Sequence, residues 1–431
     1  MEYLPVLVLI ISFIGLLAIG VPVAWSIATS SLLTMMVSIS MVPALTTISQ
    51  RIATGLDSFA LLAIPFFILS GQLMNKGGIA YRLIDFAKTL VGALPGGLAL
   101  INIIAAMLMG AIAGSAMASA SAMGSILGPE MEKEGYSREF GAAVNITSST
   151  TGLIIPPSNV LIIYSLASGG VSIAALFLAG YIPGILTGLF LMVVAYLWAK
   201  RKNYKVGKRS SIKAVIKTFI RAFPSLMLLV VVMGGIVVGV FTATEASAVA
   251  VLYTLLLGFW YKEIKIKDLP QIFLDSCGTT AIVMLLIGAS MSMSWVMSYE
   301  NIPQDISSLL LGISNNPIII LLIINLLLLF VGIFMDMTPA VLIFTPIFLP
   351  IITKLGMDPV QFGIMMVLNL CVGLCTPPVG SVLFVGVGVA NTTIEKVVKP
   401  LLPLFLTMIV SLLLVTYVAE LTLWLPRVFG L

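Results

Sequence analysis

One acid in this sequence stands where an acid is expensive. Asp336, in Gly332-Ile333-Phe334-Met335-Asp336-Met337-Thr338-Pro339, lies well inside apolar sequence, and of the 17 acids only Glu245 is placed similarly. A charged side chain at bilayer depth costs about 2.5–3.5 kcal/mol on insertion scales, so an intramembrane carboxylate points to ion or solute binding. The rival reading of Asp336 is a helix cap, since Met337-Thr338-Pro339 follows it. For Glu245 the cap reading is at least as good, because Thr242-Ala243-Thr244-Glu245 has the spacing of a capping box.

A second constellation is a doubled proline. Gly152-Leu153-Ile154-Ile155-Pro156-Pro157 has a partner 221 residues later, Gly373-Leu374-Cys375-Thr376-Pro377-Pro378. At the same offset Pro129 meets Pro350, Gly135 meets Gly356, and Ser115 meets Asp336. Several matches at one offset indicate an internal repeat. Each proline lacks an N–H and obstructs the carbonyl four residues back. The carbonyls of Gly152, Leu153, Gly373 and Leu374 are therefore expected to be released. Free carbonyls are costly in lipid and must be buried in protein or face a hydrated cavity. Oxygen ligands without nitrogen or sulfur suit a hard cation such as Na⁺. A packing kink alone is the competing reading.

Ahead of the first doubled proline runs Gly110-Ala-Ile-Ala-Gly114-Ser115-Ala-Met-Ala-Ser119-Ala-Ser121-Ala-Met-Gly124, where small residues allow close packing and hydroxyls can serve as ligands or caps. Other chemistries are poorly supported. The chain has no histidine, which removes triads, haem ligation and most zinc sites. Cys371 and Cys375 share a helical face and read as apolar packing, as a buried free Cys usually does.

Sixty percent hydrophobic and nine percent charged residues over 431 positions describe an all-α integral membrane protein. Apolar runs are expected at 4–20, 22–41, 58–74, 139–166, 172–199, 222–240, 242–261, 277–298, 359–390 and 398–425, with hairpin-like segments at 97–131 and 317–353. No cleavable signal is expected, since only Met1–Leu4 precedes the first run. Hairpin arms of about 15 residues rise roughly 22 Å, short of a ~30 Å core, so both are read as re-entrant.

The loop Lys200–Arg221 holds nine Lys/Arg and no acid and is assigned to the cytoplasm. Alternating outward from it, the first hairpin opens to the cytoplasm and the second to the outside. Only Arg51, Lys354 and Arg427 of the 22 Lys/Arg then fall outside. The net charge of +5 therefore reflects membrane orientation, and no nucleic-acid partner is expected. The layout makes 1–221 and 222–431 two inverted-topology repeats, each with scaffold helices, a hairpin and a broken helix (139–166 and 359–390).

With these residues in view, the chain resembles the large membrane subunit of tripartite ATP-independent periplasmic (TRAP) transporters. The similarity is carried by Leu56-Asp57-Ser58-Phe59, Ala63-Ile64-Pro65-Phe66-Phe67, Ser70-Gly71-Gln72-Leu73-Met74 and Leu94-Pro95-Gly96-Gly97-Leu98-Ala99. Gly114-Ser115-Ala116, Ile155-Pro156-Pro157-Ser158 and Phe241-Thr242-Ala243-Thr244-Glu245-Ala246 add to it, with Ala243 where the family often has proline. The resemblance implies an elevator-type secondary transporter in the bacterial inner membrane. It implies Na⁺-driven import of an organic acid, a C4-dicarboxylate or a sugar acid such as sialic acid. The partners implied are a small membrane subunit, a soluble periplasmic binding protein and membrane lipid.

By position, one sodium site would use Gly114, Ser115, Ser119, Gly152, Pro156 and Ser158. The other would use Asp336, Met337, Thr338, Gly373, Thr376 and Gly380. The solute would lie between, near Ser115, Ser148, Ser149, Thr150, Asn159 and Asp336. The alternative is a stand-alone Na⁺-coupled carboxylate symporter of the same architecture. An intramembrane enzyme is disfavoured by the missing histidine and paired acids. A channel is disfavoured because tips meeting broken helices make a closed midplane site.

Overall fold

A computed structural model describes residues 4–204, 206–207, 211–314 and 316–431, with the backbone alone for Ala80 and 111–113. Lys205, Lys208, Arg209 and Ser210 of the basic loop, and Asn315 just before the second hairpin, lie outside the described residues. Every regular element described is helical, and eight helices are long and apolar enough to cross a membrane.

The first half opens with α1 (Leu4–Ala18), α2 (Val23–Ser38), α3 (Met41–Leu56), α4 (Ala63–Lys76) and α5 (Ile79–Val91). A hairpin follows, α6 (Gly97–Ala113) and α7 (Ala116–Lys133), then the interrupted pair α8 (Arg138–Thr151) and α9 (Asn159–Ala167), and α10 (Ile173–Arg201). The second half runs α11 (Ile212–Val237), α12 (Ala243–Trp260), α13 (Leu269–Tyr299) and α14 (Ile302–Ile313). Its hairpin is α15 (Pro317–Phe334) and α16 (Met337–Lys354). The interrupted pair is α17 (Pro359–Leu374) and α18 (Ser381–Val389), and the chain closes with α19 (Ile394–Tyr417) and α20 (Glu420–Val428).

Three helices were not expected. α3, α5 and α14 are amphipathic, with polar residues such as Gln50, Arg51, Arg82, Asp85, Gln304 and Asp305 interrupting the apolar runs. A span-length hydropathy window averages such helices away, because only one stripe is apolar. The expected run 398–425 divides into α19 and α20 at Val418. The hairpin arms are also longer than expected, at 17 or 18 residues. At 1.5 Å per residue that is about 27 Å, so length does not separate a hairpin from two crossings. What marks them as hairpins is where their tips end.

Packing between each hairpin and its interrupted helix repeats across the halves. A Cβ on Gly152 would lie 2.4 Å from the Cα of Gly110, and one on Gly373 would lie 2.6 Å from the Cα of Gly332. Bare backbones thus touch at both places, α6 against the end of α8 and α15 against the end of α17. The two interrupted helices also meet each other. Cys371 Sγ lies 3.2 Å from the carbonyl oxygen of Thr150, and Cys375 Sγ lies 3.7 Å from Thr150 Oγ1. Thr150 and Cys371 stand 221 residues apart, the same offset that separates the two doubled prolines.

A buried amide network fixes the second hairpin. Asn369 Nδ2 donates to the carbonyl and Oδ1 of Asn325 at 2.9 and 2.8 Å, and Asn325 Nδ2 donates to Thr416 Oγ1 at 3.1 Å. Gln361 Nε2 caps the end of α19, donating to the carbonyls of Val415 and Thr416 at 3.1 and 3.0 Å. These bonds tie α15, α17 and α19 where no water competes, so their loss would leave buried groups unpaired.

Candidate functional site

Each hairpin turns on residues that suit its geometry. In the first, Gly114 ends α6 at φ +62°, a conformation that glycine adopts freely. Ser115 then caps α7, its Oγ accepting from the N–H of Ala118 at 3.3 Å. In the second, Met335 and Asp336 are extended and Pro339 falls in the first turn of α16, where no N–H is needed. Asp336 occupies the N-cap position, yet its side chain makes no capping hydrogen bond. It is exposed to the cavity it lines. Glu245 is the opposite case. Its carboxylate accepts from the Thr242 N–H at 2.8 Å, while Thr242 Oγ1 accepts from the Glu245 N–H at 3.3 Å. That completes a capping box at the start of α12.

The interrupted helices break where the prolines fall. Pro156–Pro157 and Pro377–Pro378 are both cis. Of the four carbonyls expected to be free, two are taken. Leu153 O accepts from Ser158 Oγ at 2.5 Å, and Gly373 O accepts from the Thr376 N–H at 2.9 Å. Thr376 Oγ1 itself donates to Val372 O at 2.8 Å. The chain closes its own breaks, using hydroxyl and turn donors within five residues. At Gly380, the oxygens of Leu374 and Thr376 lie 2.6 and 2.9 Å from where a Cβ would be. Only glycine allows both carbonyls to converge there.

Both tips and both breaks meet at one cavity of about 70 Å³. Gly114 and Ser115 come from the first tip, Asp336, Met337 and Thr338 from the second, Leu153 from the first break and Leu374 from the second. Asn159 packs its Nδ2 against Gly114, 2.7 Å from the Cβ position, and its Oδ1 is buried without a donor among the described residues. The N–H of Gly380 donates to Ile333 O at 3.1 Å, tying the second break to the second hairpin.

Several expected site residues lie behind the cavity, not on it. Ser148, Ser149 and Thr150 are fully buried in α8, where Ser148 and Thr150 donate to the carbonyls of Asn145 and Thr147 at 3.3 and 3.0 Å. Ser119, Gly152, Pro156, Ser158, Asn159, Gly373, Thr376 and Gly380 are likewise absent from its lining. Ser148, Ser149 and Thr150 precede the break and so are expected at the solute, but α8 is enclosed on every side here, and all three are buried whichever way they point. Ser381 was missed. It opens α18 directly after Gly380, lines the cavity, and holds a buried Oγ with no partner among the described residues. Its signal in the sequence was a hydroxyl at the first turn after a helix break.

Comparison with known proteins fits this arrangement. Residues 10–421 match the model of the tripartite ATP-independent periplasmic transporter, DctM component. The chain belongs to this family. It is therefore a multi-pass protein of the bacterial inner membrane, with a transporter permease's architecture. It is 55% identical to the uncharacterized protein YgiK of Salmonella typhimurium, over 100% of this chain and 99% of that one. It is 40% identical to the isethionate TRAP transporter permease protein DctMQ of Oleidesulfovibrio alaskensis, covering 97% of this chain and 66% of that longer one. Identity to the C4-dicarboxylate TRAP transporter large permease protein DctM of Rhodobacter capsulatus is 37%, over 97% and 98%. In fold, the chain is similar to the YdaH transporter of Alcanivorax borkumensis, with a TM-score of 0.64 at 13% identity, covering 91% and 90%.

Proposed function

We propose that the chain is a Na⁺-coupled importer of an organic acid, delivered by a periplasmic binding protein and carried by an elevator movement. The observation that carries this reading is the single cavity shared by two hairpin tips and two broken helices, with Asp336 open to it. Two oxygen-rich loops face each other there, which suits hard cations on either side of an anionic solute. On the second side Asp336, Thr338 and Ser381 line the cavity, and the carbonyls that converge at Gly380 stand beside them. On the first side Ser115 lines the cavity, and behind it stand Asn159 and the Gly152 carbonyl, which no described N–H takes. The two halves run in opposite directions through the membrane, with 97–131 open to the cytoplasm and 317–353 to the outside. The cavity is smaller than the several hundred Å³ of a usual small-molecule site, so the acid enters only when surrounding elements part.

The backbone contacts Gly110–Gly152 and Gly332–Gly373 bind each hairpin to its broken helix, so these pieces travel as one body against the remaining helices. The small membrane subunit and the binding protein are the partners, by kinship with relatives whose names specify TRAP permeases for isethionate and C4-dicarboxylates. The test is uptake into proteoliposomes holding the large and small subunits, with external binding protein loaded with succinate, isethionate or sialic acid. One acid should accumulate under an inward Na⁺ gradient and stop when choline replaces Na⁺. Equal uptake without binding protein would favour a stand-alone symporter. Full uptake on a proton gradient without Na⁺ would overturn the coupling.

A further inference from the structure

A second polar recess lies away from the central cavity. It is a crevice of about 320 Å³ between α7, α8 and the end of α18, whose lining includes Asn102, Gly124, Glu132, Arg138, Asn145 and Asn391. Asn102 and Asn145 are buried, at 1% and 3% exposure, and the Oδ1 of each has no donor among the described residues. The orientation of Asn145 is set: its Nδ2 donates to the carbonyl of Ala120 at 2.7 Å, which turns Oδ1 away from that bond. Gly124 makes this reach feasible, because a Cβ there would lie 2.7 Å from Asn145 Nδ2. Half-exposed Glu132 and Arg138 line the same crevice, paired at 2.5 and 2.9 Å, so that together they carry no net charge.

A buried acceptor left unpaired costs about 1–3 kcal/mol, and two of them belong to side chains that line one recess here. Neutral amide oxygens near one balanced carboxylate suit a weakly held monovalent cation; a divalent ion would call for more acids. The oxygens also continue inward. Ser149 stands one turn beyond Asn145 on α8, and Ser119 faces from α7; both hydroxyls are buried without partners. From Asn145 to the break at Gly152 the helix rises only about 10 Å.

We propose that this crevice is a monovalent-cation site, separate from the two at the helix breaks, through which Na⁺ passes between the first break and the water at the open end of the first hairpin. It rests on the Na⁺ reading above. The experiment is equilibrium binding of radioactive ²²Na⁺ to the purified chain in lipid nanodiscs, with choline keeping ionic strength constant. The wild type should show a tighter class of sites and a weaker one. Glu132→Gln leaves Arg138 unpaired at the mouth and should weaken only the weaker class, by ~3–10-fold, the effect of one unit charge in a hydrated crevice. Arg138→Gln should strengthen that class by a similar factor. Asp275→Asn, an exposed acid outside the crevice, should change neither. Asp336→Asn should remove sites of the tighter class and spare the weaker. If Glu132→Gln and Arg138→Gln leave binding untouched, or move it in the same direction, the crevice is merely hydrated and the proposal fails. If instead Asp336→Asn leaves the tighter class intact, the assignment of Na⁺ to the second hairpin fails, and the crevice result stands apart from it.

Discussion

Asp336→Asn separates charge from shape at the second hairpin. The substitution keeps the size of the side chain and a capping oxygen, and Asn and Asp rank alike at helix N-caps. Because the carboxylate makes no capping bond to begin with, a structural role predicts a change in stability of a few tenths of a kcal/mol at most. A charge role predicts much more. A cation 4 Å from a unit charge is held by about 1 kcal/mol in bulk water and about 4 kcal/mol at an effective dielectric of 20. Asp336 is open to its cavity, which adds screening, yet it sits among apolar residues such as Met337, Leu374 and Val382. An intermediate value of about 2–3 kcal/mol corresponds to roughly 30- to 150-fold weaker Na⁺ binding. The assay is Na⁺-dependent uptake into proteoliposomes across a range of external Na⁺, with purified yield and thermal unfolding as the folding control. The half-saturating Na⁺ concentration should move beyond any practical range while the unfolding temperature stays put. Near-normal uptake at ordinary Na⁺ would refute the reasoning and return Asp336 to the fold.

A cysteine at Gly207 should be labelled by an impermeant reagent only from the cytoplasm, and one at Ser314 only from outside; labelling of both from one face would end the inverted layout. Gly152→Ala and Gly373→Ala place a methyl against backbone that cannot yield, and each should cost about 1–3 kcal/mol in thermal stability, with loss of uptake. Gly278→Ala, where nothing lies within 4 Å, should be neutral or slightly stabilising in the same unfolding measurement. Thr242→Ala removes one side of a capping box, so the unfolding temperature should fall by the equivalent of about 1 kcal/mol while the Na⁺ dependence of uptake is unchanged.

The parts of this molecule that could be read from sequence are those where the lipid solvent imposes the answer. Span-length apolar runs, the doubled prolines and the lone acid at 336 each break or obey a rule that holds wherever the backbone lacks water. α3, α5 and α14 escaped because one polar face suffices to hide a helix from a hydropathy window. The site was legible as loops and not as atoms. Both tips and both breaks were expected together and do meet, but Ser148, Ser149 and Thr150 are buried, and Ser158 consumes a carbonyl that had been assigned to an ion. Such exchanges depend on which donor is nearer by a fraction of an ångström, and residue spacing does not carry that information.

The contact between Thr150 and Cys371 bears on how such a chain arises. A half-length ancestor inserting in both orientations and pairing with itself would set this position opposite an identical copy. Any charge there would confront its own sign with no water to soften it, and any bulky group would collide with itself. Only small, neutral groups are tolerated on the dyad until duplication and fusion let the two copies differ. Threonine and cysteine, both small and neutral, would meet that condition.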